Sequence, residues 1–125
     1  IAIGSVDTPG SALDIAHTAD GNYLAVADNQ AGLQIVDIND RTAPVIVGQL
    51  LPDRVNEAFK VWVQGATAYF RDKYNGIFAA DISIIEQPRL IAYYDTPRPN
   101  GFFVSSDHTI FLADKDMGLY RLRWN

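Results

Sequence analysis

The residues best equipped to bind a ligand lie in and around one polar loop. The segment LLPDRVNEAF, residues 50–59, is two residues longer than its counterparts in the chain and carries Arg54, Asn56 and Glu57. Arginine and asparagine donate hydrogen bonds and glutamate accepts them, so these side chains suit recognition of carboxylate, sugar or peptide groups. The internal repeat described below predicts that four further polar residues lie nearby: Lys73, Tyr74, Arg98 and Asn100. We predict that these seven residues form a ligand-binding site on a rim of loops.

Catalytic chemistry has weaker support. Nucleophilic catalysis needs a serine, threonine or cysteine that a base activates. Cysteine is absent, His17 and His108 are the only histidines, and no Gly-x-Ser-x-Gly segment occurs. We therefore predict no catalytic residue. The alternative left open is a hydrolase or lyase whose site, at the centre of an assembled ring of chains, includes Asp14, Glu57 and Lys60.

Three aspartates stand at the head of Asp-x-x-x-Gly turns: Asp28, Asp72 and Asp114. A calcium loop of the EF-hand kind needs oxygen ligands at alternating positions and a distant bidentate glutamate, and DKDMG at 114–118 lacks that pattern. A turn explains the residues better, because aspartate accepts a backbone N–H two residues on and glycine adopts a positive φ. We predict that these aspartates stabilise the fold and that the chain binds no metal and no cofactor.

The composition excludes two classes of partner. The 125 residues carry a net charge of −5, and the ten Lys and Arg residues are scattered along the chain. Without a basic cluster there is no surface for a nucleic-acid backbone. No apolar run reaches the ~18 residues that span a bilayer, so membrane insertion is not expected. The length fits one globular domain, residues 1–125.

The sequence repeats itself three times, and the repeat predicts the architecture. Gly32, Gly76 and Gly118 follow one another at intervals of 44 and 42 residues, in the turns named above. Gly4 and Gly48 keep the same spacing of 44. The repeats span approximately residues 4–47, 48–91 and 92–125.

Each repeat contains short segments rich in β-branched, aliphatic and aromatic residues. In the first repeat these segments are 12–18, 23–27, 32–38 and 44–50. No segment keeps a helical period, which predicts an all-β chain. Four strands in roughly 42 residues is the size of one β-propeller blade, so we predict three four-stranded β-propeller blades, a partial propeller. A β-sandwich is the alternative.

Large aromatic residues in short strands usually pack between blades. We therefore predict that five aromatic residues belong to the core: Phe59, Trp62, Phe102, Phe103 and Trp124.

The strand of the repeat with which the sequence begins predicts how the ring of blades is closed. Residues 1–6 match the fourth strand of the later repeats, whereas the sequence stops after a third strand. We expect the N-terminal strand to be permuted, so that it completes the last blade. Propellers typically have about four to eight blades, so three blades leave two faces open. The expected partner is a second copy, with the dimer closing a six-bladed ring, or other propeller chains; a piece of a larger propeller is the third possibility.

Two stretches carry a family resemblance: GNYLAVADNQAGLQIVDINDRTAPVIVGQL and YFRDKYNGIFAADISIIEQPRLIAYYDTP. They resemble the LVIVD repeat, a propeller-type repeat of bacterial and archaeal proteins, many of them exported or attached to the surface. The second stretch departs from the pattern at Arg71, Tyr74, Phe78 and Ala79. The resemblance implies a propeller fold and an extracellular or cell-surface location. It transfers no functional residue, so we expect a non-enzymatic scaffold or interaction module that binds protein or carbohydrate.

Overall fold

The computed structural model describes residues 1–96 and 98–123, and these residues form strands and loops without a helix. The strands are β1 (Asp14–His17), β2 (Tyr23–Ala27), β3 (Leu33–Asp37), β4 (Val45–Leu50), β5 (Ala58–Gln64), β6 (Thr67–Asp72), β7 (Gly76–Asp81), β8 (Arg89–Tyr94), β9 (Pro99–Val104), β10 (Ile110–Asp114) and β11 (Gly118–Leu122). In the first repeat the predicted bounds differ from these by at most two residues. No helix able to cross a bilayer occurs among the described residues.

The strands pair into three antiparallel sheets, each following the order of the chain. β1 to β4 form the first sheet, β5 to β8 the second, and β9 to β11 the third, which has three strands in the described part of the chain. Strands β4 and β8 each carry a bulge at the same place in the repeat, opposite the middle of β3 and β7. This architecture confirms the predicted all-β, partial-propeller fold.

The turn between the second and third strands of each sheet depends on a glycine with positive φ. Gly32, Gly76 and Gly118 have φ values of 76°, 106° and 85°. Glycine adopts this conformation without the steric cost that a β-carbon imposes. The three predicted turn glycines are thereby confirmed.

The core consists of two apolar layers between neighbouring sheets. The first layer packs Leu33 and Ile35 of the first sheet against residues of the second that include Phe70 and Phe78. The second layer joins the second and third sheets: Tyr69, Ile77, Ala79, Val104, Ile110 and Leu112. The second sheet is covered on both faces, which explains why every residue of β6 is buried.

The prediction for the aromatic residues is wrong in two cases. Phe103 is 52% exposed and Phe59 is 36% exposed. Phe103 lies between Phe102 and Val104, which face the core, so the alternation of a strand directs its side chain away from the core. Phe59 lies where the register between β5 and β6 shifts. Trp62 and Phe102 are partly buried against the second layer. Trp124 lies outside the described residues.

The N-terminal segment packs against the first sheet at the position where the outer strand of a preceding blade would lie. It pairs with no strand in the described structure. A β-carbon added to Gly4 would lie 2.7 Å from the carbonyl oxygen of Arg41. One added to Gly48, on β4, would overlap the carbonyl oxygen of Ile85 in the second sheet. Both pairs are related by the same shift of 44 residues. Residues 1–6 therefore lie against the first blade as β4 lies against the second, and among residues 1–96 and 98–123 they do not pair with the last blade.

Candidate functional site

One rim of the molecule is formed by the turns after each second strand and by the loops that enter each first strand. Asp72 holds these two parts together in the second sheet. Its Oδ1 accepts hydrogen bonds from the backbone N–H groups of Asn56 and Glu57, both at 2.7 Å. Its Oδ2 accepts from those of Tyr74 and Asn75, at 2.8 and 3.0 Å. A fully buried carboxylate thus joins the entering loop to the turn.

The other two turn aspartates act in the same way. Asp28 accepts from the Thr8 hydroxyl at 2.6 Å and from the Gly10 N–H at 2.9 Å. Asp114 accepts from the Arg98 N–H at 2.9 Å. These contacts support the predicted structural role and add an unforeseen one, because each carboxylate also fixes the loop that enters its own blade.

Hydrogen bonding keeps Asp114 ionised although its side chain is buried. Burial by itself raises the pKa of this carboxyl. Hydrogen bonds from the backbone N–H groups of Arg98, Met117 and Asp116 together lower that pKa by a larger amount, so the net shift is downward. Its oxygens are therefore engaged by the protein backbone. Within residues 1–96 and 98–123, no group of three His, Asp or Glu residues could hold a metal ion.

A cleft of about 310 Å³ opens on this rim between the second and third blades. We call it the rim cleft. Four of the seven predicted ligand-binding residues line it: Lys73, Tyr74, Arg98 and Asn100. Lys73 and Tyr74 belong to the turn of the second blade, whereas Arg98 and Asn100 precede and begin the first strand of the third. The repeat thus located two segments that are 25 residues apart in sequence and share one cleft.

The other three predicted residues are placed differently. Arg54 lies over the ring of Tyr93, 5.0 Å from its centroid, in a separate cleft toward the outer strand of the second blade. Asn56 is exposed and contributes its backbone N–H to Asp72. Glu57 forms an ion pair with Lys73 at 3.6 Å, so it adjoins the rim cleft without lining it.

Four residues of the rim cleft were not predicted: Phe59, Arg71, Pro99 and Lys115. Arg71 is only 5% exposed, and its Nη1 donates to the Pro99 carbonyl at 2.6 Å. Its guanidinium lies 4.7 Å from the Phe59 ring centroid. The sequence already distinguishes Arg71 from its counterparts, because alanine stands before the other two turn aspartates, at Ala27 and Ala113.

The lining of the rim cleft is strongly basic. It contains the four cations Arg71, Lys73, Arg98 and Lys115 and no acidic side chain. The Arg98 side chain pairs with Asp116 at 3.4 Å outside the lining. Burial lowers the pKa of Arg71, and the nearby charge of Asp72 partly reverses that effect. A cleft with this lining attracts anionic groups.

The residues of the enzymatic alternative do not converge in one chain. Asp14 accepts a hydrogen bond from the Val61 N–H at 3.1 Å, which ties the first strands of two blades together. Glu57 is paired with Lys73, and Lys60 is exposed. Because that alternative requires assembly of several chains, it stays a prediction.

The comparisons with known proteins agree with this architecture. The sequence model of the family described as "LVIVD repeat" matches residues 9–51 and 57–96. The crystal structure of Saccharomyces cerevisiae Sqt1, a β-propeller-type WD40 protein, superposes with a TM-score of 0.71 at 10% sequence identity. The match covers 98% of this chain and 38% of that one, so the chain spans well under half the length of that neighbour. No curated protein matches the sequence.

Proposed function

Because the chain belongs to the LVIVD-repeat family, we propose that it is a non-enzymatic, propeller-type interaction module that binds protein or carbohydrate in the rim cleft. The observation that carries this proposal is the convergence of Lys73, Tyr74, Arg98 and Asn100 on one cleft from two blades. Side chains held at the ends of rigid strands can recognise a ligand with little loss of conformational entropy.

The proposed binding site is tested by screening the labelled chain on a peptide array and a glycan array. Every ligand found is then measured again with the double variant Tyr74→Ala/Asn100→Ala. We expect affinity to fall at least about tenfold, since tyrosine is enriched among the few interface residues whose truncation costs about 2 kcal/mol or more. The control is Glu86→Ala/Gln87→Ala, which changes two exposed residues in another turn. Equal binding by both double variants would place the ligand elsewhere on the chain.

We propose an extracellular or cell-surface location for the module. The support is the family resemblance, because many members of the family are exported. Protease treatment of intact cells that express the native gene tests this location. Cleavage of the chain while a cytoplasmic marker survives is the expected result, and protection of both proteins would contradict it.

We also propose that residues 1–6 complete the third sheet of a second copy, so that two chains close a six-bladed ring. The position of Gly4 against Arg41 supports this, because the segment already lies where the outer strand of a preceding blade belongs. On the third sheet β11 pairs only with β10 in the described structure, and Leu119 beside its turn is 71% exposed. Blades of another propeller chain are the competing occupants.

The repeat predicts the register of this pairing. In the second sheet Ile77 pairs with Tyr94, and the equivalent residues pair in the first sheet. Shifted by one repeat, Leu119 faces Val6 of the second copy.

This register can be tested by disulfide cross-linking, which is clean because the chain has no native cysteine. The variant Val6→Cys/Leu119→Cys should form a disulfide-linked dimer on oxidation, since directly opposed residues have Cα atoms within about 7 Å. In Val6→Cys/Arg121→Cys the cysteines are two residues out of register, and little dimer is expected. A monomeric mass by light scattering, or equal cross-linking by both variants, would contradict the proposed ring.

A further inference from the structure

A buried arginine stands where the fold itself requires only a small residue. Arg71 precedes the turn aspartate of the second repeat, and alanine precedes it in the first and third: Ala27 and Ala113. Removing a guanidinium from water is costly unless the charge is paired or hydrogen-bonded. The first and third repeats form their blades without this cation, so the blade itself does not account for Arg71.

Arg71 retains unused hydrogen-bonding capacity. Its Nη1 donates to Pro99, whereas the buried Nε has no acceptor among the described residues. Nε and Nη2 form the side edge of the guanidinium, and that edge matches the two oxygens of a carboxylate. The same side chain lines the rim cleft, so a ligand that enters the cleft can supply the missing acceptor.

Two successive turns contribute matching lysines to the same cleft. Lys73 and Lys115 each follow a turn aspartate, and their backbone N–H groups are fixed by the entering loops at 2.9 and 3.0 Å. The ion pair of Lys73 is between exposed groups at 3.6 Å, and such pairs are weak enough for a ligand to displace. Lys115 has no ion pair in the described structure. The cleft is thus a local concentration of positive charge on a chain whose net charge is −5.

The two aromatic rings of the cleft already have cations against them. The Arg71 guanidinium lies 4.7 Å from the centroid of Phe59, and the Lys73 ammonium lies 5.5 Å from that of Tyr74. Each contact orients its cation and occupies one face of the ring, so only the other face is left for a sugar to stack on. The arrangement therefore favours an anionic peptide group over a saccharide ring.

We propose that the rim cleft binds a carboxylate side chain of an acidic peptide segment, with Arg71 as the buried anchor and Lys73, Arg98 and Lys115 around it. This inference rests on the proposed function, because it assigns the chemical class of ligand to the same cleft. The recognised feature is an extended acidic stretch of a partner protein.

The test is a titration of the ¹⁵N-labelled chain, followed by NMR, with two capped peptides, tetraglutamate and tetraglutamine. We expect the glutamate peptide to shift the amide signals of residues 71–75, 98, 100 and 115, and the glutamine peptide to leave them in place. Arg71→Ala should weaken the glutamate peptide at least about tenfold. Because alanine stands at this position in two of the three repeats, the variant should keep its fold. The control Arg89→Gln changes the charge equally on another surface, and its affinity should stay within about twofold.

The outcomes separate this inference from the proposed function. Equal binding of both peptides, or no effect of Arg71→Ala on glutamate binding, overturns the carboxylate assignment. Binding of tetragalacturonate but not tetraglutamate, with the same loss in Arg71→Ala, overturns the peptide as the source of the carboxylate. If array ligands depend on Tyr74 and Asn100 but not on Arg71, the proposed function stands and this inference fails. If no ligand moves any cleft signal, both fail.

Discussion

Replacing Gly76 by valine should lower the free energy of unfolding by at least about 4 kcal/mol, the largest loss expected for any change in the turns. Two effects combine at this position. The backbone has a φ of 106°, which disfavours a β-branched side chain, and an added β-carbon would overlap the carbonyl oxygen of Tyr94. The overlap is with backbone of a packed strand, so a rotation of a side chain cannot relieve it. Urea denaturation monitored by tryptophan fluorescence measures the loss.

The chain provides a matched control for this substitution. Gly118 occupies the same turn in the third blade with a φ of 85°, but an added β-carbon there meets no atom of the described residues within 4 Å. Gly118→Val should therefore show the conformational cost alone, provided that it is measured at a concentration where the chain is monomeric. Asn75→Ala, one residue before Gly76, should cost less than either. Equal losses for Gly76→Val and Asn75→Ala would mean that the positive φ does not decide the stability of this turn.

Replacing Asp72 by alanine should lower the free energy of unfolding by about 3 to 5 kcal/mol. The carboxylate is fully buried and accepts four backbone N–H groups, so the substitution leaves several donors without an acceptor in a dry environment. The entering loop and the turn lose their common anchor at the same time. Hydrogen exchange should show that the amides of Asn56, Glu57 and Tyr74 lose protection first.

Two further variants test the cause of this loss. Asp72→Asn keeps one carbonyl oxygen, so its stability should lie between those of the wild type and Asp72→Ala. Asp81→Ala removes a carboxylate that accepts from Ser83 and Arg89 at the surface, and it should cost much less. Comparable losses for the alanine variants at 72 and 81 would show that burial of the carboxylate is not the source of its contribution.

The fold could be predicted from the sequence because its determinants recur. Each turn is marked by a glycine that follows an aspartate by four residues, and Gly32 and Gly76 show the spacing of these turns along the chain. The strands lie between successive turns. The pairing of residues 1–6 could not be settled in the same way, because their phase in the repeat identifies the kind of strand but not the blade that it completes. Phe59 was misplaced because a shift in strand register leaves no mark in the pattern of apolar residues.

The candidate site was predicted in part for a similar reason. Lys73 and Arg98 were found because turns and entering loops share a rim in every blade. Arg54 was misplaced because the sequence does not show which way a lengthened loop directs its side chains. Arg71 departs from the repeat pattern but was not assigned to the site, because a residue inside a strand is expected to lie in the core and not on the rim. Comparison of equivalent positions across the repeats identifies it at once, and that comparison needs no structure.

The turn aspartates also allow the length of an entering loop to vary without moving the blade that follows it. In the second blade the entering loop is two residues longer, yet its end is still fixed by hydrogen bonds from Asn56 and Glu57 to Asp72. Its other end is fixed by β4, which packs closely over Gly32. Apart from Val55, which is buried in the first apolar layer, residues between these two points should be exchangeable while the flanking strands stay in register. The rim thus offers a position for grafting new recognition loops, because the hydrogen bonds to Asp72 hold the first strand of the blade in place.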